Sequence, residues 1–273
     1  MSLRISVSPA AYAVAVLVFV AGGLVPSSAS GQSSPAASEP PKADVSSAAL
    51  ADVDSLRDAG AFRAAFARLT SLADDHPASA EVLYRLALTR VDMGEQLDAR
   101  SQQRSYYEAA LKRAEAAVAA DSTHAAAHLA RAIAEGRVAL SAGTRERIRR
   151  SRAVKRHADR AITLDSTLAA AYHVRARWNR EVADLGFFER TIVRTVYGGL
   201  PEASFEQSVR DFQTAIRLED KIVHHLELAR TLMKLDREAD ARAHLQTALS
   251  MDATDPDDPA HKASARKLLE DLG

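Results

Sequence analysis

One spacing recurs along this chain and limits what it can fold into. A small or apolar residue is followed, four and then three positions later, by two more of the same kind. The trios are Ala65, Leu69 and Leu72; Ala110, Ala114 and Ala117; Val154, Ala158 and Ala161; Ser208, Phe212 and Ala215; and Ala241, Leu245 and Ala248. Offsets of four and three put each trio on one stripe of an α-helix. Small side chains on that stripe let a neighbouring helix approach closely. A stop follows each trio within a few residues: His76-Pro77, Asp121-Ser122-Thr123, Asp165-Ser166-Thr167, Glu219-Asp220 and Asp252-Ala253-Thr254. Ser and Thr in these stops are expected to cap the helix that follows. Five helix ends of one design predict a helical repeat array, with an irregular helical bundle as the alternative. A chain rich in alanine and only 5% aromatic favours such packing of helices over sheets.

The trio starts lie 45, 44, 54 and 33 residues apart. A period of about thirty-four residues belongs to the tetratricopeptide (TPR) helix-turn-helix unit, whose second helix carries such small positions. The last unit fits best, with Leu228, Ala229 and Leu232 in its first helix and Asp236 at the turn. Another first helix is legible in Leu83, Leu86 and Ala87, closing at Gly94. The chain therefore resembles a TPR protein: all-α, an α-α superhelix of about five helix-turn-helix units. Three units are enlarged, an extra helix is inserted in the fourth, and the C-terminal helix caps the array.

The enlargements carry a narrower resemblance. GTRERIRRSRAVKRHADRAITLD (residues 143–165) is followed by Ala176-Arg177-Trp178, Val182-Ala183-Asp184-Leu185, Phe188-Glu189-Arg190 and Pro201-Glu202-Ala203-Ser204-Phe205. That order, over roughly residues 120–250, is similar to the regulator of microtubule dynamics family, whose members are TPR-like. Ala176 stands where glycine is usual in the family, and Asp-Ser replaces Asp-Pro at helix ends. The resemblance implies the fold and a binding role.

Residues 1–30 read as a secretory signal peptide: a basic start, an uncharged apolar run over residues 10–25, and small residues at Ser28-Ala29-Ser30. The run of sixteen falls short of the roughly 20 residues that span a bilayer, so an uncleaved anchor is the second reading. Residues 31–46, rich in Pro, Ser and Ala, read as a disordered linker, and residues 47–273 as the repeat domain. The expected location is exported, periplasmic or secreted; the alternative is an N-terminally anchored protein facing the cytosol. Membrane contact is expected only if the N-terminal segment is retained.

Charge and motifs bound the function. Thirty-six basic side chains balance 36 acidic ones, which argues against a chain built mainly to coat nucleic acid or an anionic membrane. Absence of cysteine removes disulfides, thiolate metal sites and a thiol nucleophile. His124 and His128 are four apart and His224 and His225 adjacent, but neither pair has a carboxylate at zinc-site spacing, so no metal and no cofactor is expected. Ser264-Ala265-Arg266-Lys267 matches S-x-x-K without its partner motifs. The chain is therefore expected to be a non-catalytic scaffold that takes a protein or peptide partner in a groove, with an uncharacterised hydrolase as the alternative.

Two segments stand out as binding candidates. Arg145, Arg149, Arg152, Arg156 and Arg160 fall within about 80° of one another on a helical wheel, opposite the trio Val154, Ala158 and Ala161. Such a ridge suits a carboxylate- or phosphate-bearing partner, or is a solvated face. In residues 187–197, Phe187, Phe188, Ile192 and Val196 recur at helical spacing. They predict an amphipathic helix packed into the array over Trp178 and Val182, or a lip on a groove, with Arg190 and Arg194 lining whichever face stays open.

Overall fold

A computed structural model describes residues 45–273, which form twelve α-helices and, among the described residues, no strand. The expected signal peptide and residues 31–44 of the expected linker lie outside the described residues.

Ten helices form five antiparallel pairs. The first is α1 (Ser47–Asp58) with α2 (Phe62–Asp75), and the second α3 (Ala80–Glu95) with α4 (Arg100–Ala120). The third is α5 (Ala125–Ala139) with α6 (Thr144–Leu164). In the fourth, α7 (Ala169–Ala183) packs on α9 (Phe205–Leu218), and α8 (Phe187–Tyr197) is inserted between them in sequence. The fifth is α10 (Ile222–Met233) with α11 (Glu238–Ser250), and α12 (Asp258–Asp271) closes the end of the array against both. The fold is an all-α TPR-like superhelix.

The trios lie on the second helix of each unit, and all of their residues are buried except Leu72, which is half-buried. Ala114, Ala117, Ala158, Ala161, Ala215 and Ala248 have no exposed surface, so helix backbones meet across a methyl group. From the second unit on, first helices are covered over more of their circumference, because each lies between its own partner and the units beside it. Residues 82–89 and 222–229 are buried without a break. Gly94 marks the closest approach: a Cβ there would stand 2.7 Å from Tyr107 Cε1 on α4. Asp236 takes the left-handed turn between α10 and α11 at φ +54°.

Helix starts follow local chemistry, with one correction to the sequence reading. Ser46, Ser79 and Ser204 each accept an N–H of the first turn. The Ser and Thr of the stops do not cap. Instead Asp121 accepts from the N–H and hydroxyl of Thr123, and Asp165 does the same for Thr167. These Asx turns use the side chains before the helix begins, leaving His124 Nδ1 to cap α5.

Arginine–carboxylate pairs tie helices together both between units and within them. Arg57 on α1 reaches Asp92 on α3 at 2.7 Å, and Arg85 on α3 reaches back to Asp54 at 2.8 Å. Arg137 on α5 pairs with Glu95, Arg150 on α6 with Glu135 at 2.6 Å, and Arg175 on α7 with Asp211 at 2.7 Å. The deepest carboxylate, Glu227 on α10, is fully buried and lies 2.6 Å from Arg180 on α7. Burial alone would raise its pKa, but Arg180, Arg177 and Arg230 hold it well below the usual carboxylate range.

Candidate functional site

The third and fourth units meet α8 around a cavity of about 280 Å³. Its walls are apolar: Ile133 and Gly136 from α5, Ile148 and Val154 from α6, Val174, Trp178 and Val182 from α7. Leu185 and Leu200, on either side of α8, and Ile192 and Val193 of α8 itself complete the enclosure. Arg147, Arg177, Glu181 and Glu189 supply charge at the lining. A mostly apolar hollow with a few charged groups is the usual form of a site that anchors a ligand by one apolar part and orients it by its polar part.

Trp178 fixes the floor. Its indole Nε1 donates to the Ser151 carbonyl at 2.8 Å and lies 2.9 Å from the Ser151 hydroxyl, tying α7 to α6. Beside it, Arg177 extends toward the buried Glu227 at 3.9 Å.

α8 roofs the cavity without being buried by it: none of its residues is buried. It is held at its ends. At its start, Glu189 accepts the Gly186 N–H at 2.9 Å, and Arg190 donates to the Ala183 and Leu185 carbonyls at the end of α7. At its finish, Gly198 takes φ +74° as a left-handed cap, and Arg152 of α6 donates to the Tyr197 and Gly199 carbonyls. Gly199, at φ +79°, needs the same backbone freedom.

These contacts redistribute the residues singled out in the sequence. Arg152 and Arg190 are hydrogen-bonded latches rather than open binding groups. Arg149 is exposed and paired with Glu146 at 2.5 Å. Arg145, Arg156 and Arg160 on α6 and Arg194 on α8 are exposed, with no hydrogen bond or ion pair among the described residues. The reading of 187–197 as a packed stripe also needs correction. Of the apolar residues of α8, Ile192 and Val193 line the cavity, whereas Phe187 and Phe188 are each 80% exposed and Val196 is 62% exposed. The reason is geometric: α8 rests mainly on α6, and its two phenylalanines are left exposed by the described residues.

The histidines, examined in the sequence only for metal, form imidazole pairs between helices. His128 meets His157, His173 meets His224, and His225 meets His244, with Nδ1–Nδ1 distances of 2.8, 2.8 and 2.9 Å. Burial first, then neighbouring charge, pulls His157 and His224 down to about 3 and His173 well below its ordinary value. No group of three or more candidate metal-binding side chains converges among the described residues. The sequence carried a signal for these pairs: His128, His173 and His224 recur 45 and 51 residues apart, near the spacing of the trios.

Comparison with known proteins places the chain. The model of the family described as regulator of microtubule dynamics protein 1-3 matches residues 49–273, well beyond the stretch of about 120–250 that carried the sequence resemblance. Regulator of microtubule dynamics protein 3 of Xenopus laevis is 29% identical over 153 residues, covering 56% of this chain and 32% of that protein. Regulator of microtubule dynamics protein 1 of Bos taurus is 25% identical over 224 residues, covering 81% of this chain and 70% of that protein. The chain thus spans about a third of the length of the frog relative. Among solved structures, a thermophilic TPR protein of Thermus thermophilus superposes with a TM-score of 0.59 at 19% identity, covering 81% of this chain and 98% of that one. Arg177, Trp178, Val182, Leu185 and Glu189, which carried the resemblance in the sequence, all line the cavity. The chain belongs to the regulator of microtubule dynamics protein family.

Proposed function

We propose that this protein is a non-catalytic interaction scaffold that captures a protein or peptide partner by seating one of its apolar side chains in the cavity under α8. The observation that carries this reading is the cavity itself: about 280 Å³ of mostly apolar hollow at a junction between repeat units, with arginine and glutamate at its lining. The lining is mainly apolar and contains no histidine, and the buried imidazoles pair with one another, which supports a binding role for the hollow. In this reading the leader exports the protein, and the array organises partners outside the cytosol. The family match favours a second reading, a cytosol-facing membrane-anchored regulator of microtubule dynamics, and the mass of the mature N-terminus separates the two.

The test of the cavity is a peptide library selected on the wild-type protein and rescreened on Gly136→Leu. A Cβ at Gly136 meets only Val154 Cγ2, at 3.7 Å, so the backbone tolerates a side chain, and a larger one projects into the hollow. Selected peptides are expected to lose at least about tenfold in affinity, the worth of one anchored side chain. Undiminished binding by a folded Gly136→Leu protein excludes the cavity as the anchor. Turnover of generic hydrolase substrates, lost on replacing a histidine, overturns the scaffold reading altogether.

A further inference from the structure

The outer face of α8 has no use in that reading. At about 100° per residue, Phe187, Thr191 and Thr195 share a side of the helix away from Val193, and Phe188 stands at its edge, one turn before Ile192 at the cavity. Both phenyl rings are 80% exposed. The threonines do not make this side polar, because Thr191 donates to the Phe187 carbonyl at 2.9 Å and Thr195 to that of Thr191 at 2.8 Å. Their hydroxyls are satisfied by the helix. The result is a raised tip with two aromatic rings, where a peptide-binding groove would be concave.

Charge segregates to the same place. In a chain with no net charge, α6 carries eight Lys and Arg against two Asp and Glu, and α8 adds two against one. Arg152 of the α6 row reaches the C-terminal end of α8, and Arg194 on α8 itself lies on the side of Phe187, two turns along the helix. Arg145, Arg156 and Arg194 are exposed and, among the described residues, have no ion pair to neutralise them. Protruding aromatic rings beside unpaired arginines match a bilayer surface with anionic headgroups. Rings enter the headgroup boundary and arginines meet phosphate or carboxylate. An acidic protein would supply the charge but has no need of a convex apolar tip.

We propose that the α6–α8 face docks the folded domain peripherally onto an anionic membrane surface, with Phe187 and Phe188 inserted and Arg145, Arg156 and Arg194 at the headgroups. The face is distinct from the cavity, so the two proposals fail separately.

The experiment uses the full chain and vesicles of phosphatidylcholine with or without phosphatidylserine. Because residues 10–25 bring an apolar run of their own, variants are compared within the full chain. Phe187→Ser/Phe188→Ser and Arg145→Gln/Arg156→Gln/Arg194→Gln alter only exposed side chains, and circular dichroism checks that helicity is kept. Each is expected to lower partitioning onto phosphatidylserine vesicles by about tenfold or more, with weaker binding of the wild type in high salt. In parallel, Phe188→Trp places a reporter at the tip, whose emission is expected to shift to the blue on phosphatidylserine vesicles alone. Unshifted emission of that indole overturns the proposal. So does concentration-dependent self-association that the Phe replacements abolish while vesicle binding stays at the wild-type level, since the tip then serves a second copy of the chain.

Discussion

Glu227→Gln tests how far the array depends on a single buried charge. The carboxylate is fully enclosed between α10 and α7, with Arg180 at 2.6 Å, Arg230 bonded to its other oxygen and Arg177 at 3.9 Å. Glutamine keeps the shape and removes the charge. Arg177 and Arg230 keep part of their side chains in water and can turn outward. Arg180 cannot, because its side chain is only 9% exposed and it also donates to the Glu227 carbonyl at 3.1 Å. Removing one partner of such a pair costs about 3–5 kcal/mol, and Arg180 then keeps only the half-exposed Glu181, at 3.3 Å, as a counter-charge. With a urea m-value of about 3 kcal/mol/M, the midpoint falls by about 1–1.7 M. In a repeat array, contacts run only between neighbours, so the loss concentrates at the α7–α10 junction. α10, α11 and α12 should then exchange their amides before the rest of the array unfolds. Arg180→Met/Glu227→Leu removes both charges and is expected to recover most of the lost stability. A shift below about 0.3 M for Glu227→Gln, or a double variant as weak as the single, refutes the argument that charge compensation is what Glu227 supplies.

Acid should weaken the protein well above the range in which carboxylates titrate. His157 and His224 are held near 3 in the folded chain by burial, against about 6.5 when unfolded. Their contribution is complete above about pH 6.5 and is lost as pH falls toward 3, at about 2 kcal/mol each by pH 5, so urea midpoints at about pH 7.5 and pH 5 should differ clearly. Equal midpoints would mean that these imidazoles take up protons in the folded state. Gly94→Ala sets a methyl 2.7 Å from Tyr107 Cε1 and should cost about 1–3 kcal/mol in urea unfolding through overpacking of α3 on α4. Arg152→Gln removes the C-terminal latch of α8; amide exchange in residues 187–199 should accelerate while the global midpoint stays within about 0.5 kcal/mol, because α8 buries nothing of its own.

Periodicity carried the fold because close helix packing leaves a local record. Ala114, Ala117, Ala158 and Ala161 are small because another backbone passes over them, and a helix must repeat that condition every turn on the same side. The stops were legible as stops, yet their caps were misassigned: Asp121 and Asp165 fold back on Thr123 and Thr167, an alternative as local as capping and indistinguishable by composition. The inserted helix was legible in its bounds, 187–197, but not in its exposure. Wheel periodicity shows that Phe187, Phe188, Ile192 and Val196 are apolar; it does not say whether any element lies over them, and among the described residues none covers Phe187 and Phe188.

The arginines show the deeper limit. On a wheel, Arg149, Arg152 and Arg156 are equivalent members of one row. In the folded chain Arg149 pairs with Glu146 on its own helix, Arg152 holds carbonyls 45 and 47 positions away, and Arg156 has no hydrogen bond or ion pair among the described residues. What separates them is where the end of another helix arrives, which is a property of the tertiary arrangement. That arrangement also explains how an eleven-residue helix without one buried side chain keeps its place. A helix so short is marginal alone in water, and α8 gains little from apolar cover. It persists because Arg190 fastens it to the end of α7, Arg152 fastens α6 to its own last carbonyls, and Gly198 turns the chain out at φ +74°. Hydrogen bonds from charged donors are worth about 1.5–3 kcal/mol each, enough to offset the ordering of so short a segment. The height of the roof over the cavity is therefore set by two guanidinium groups on backbone oxygens, and a ligand needing more room has only those bonds to break.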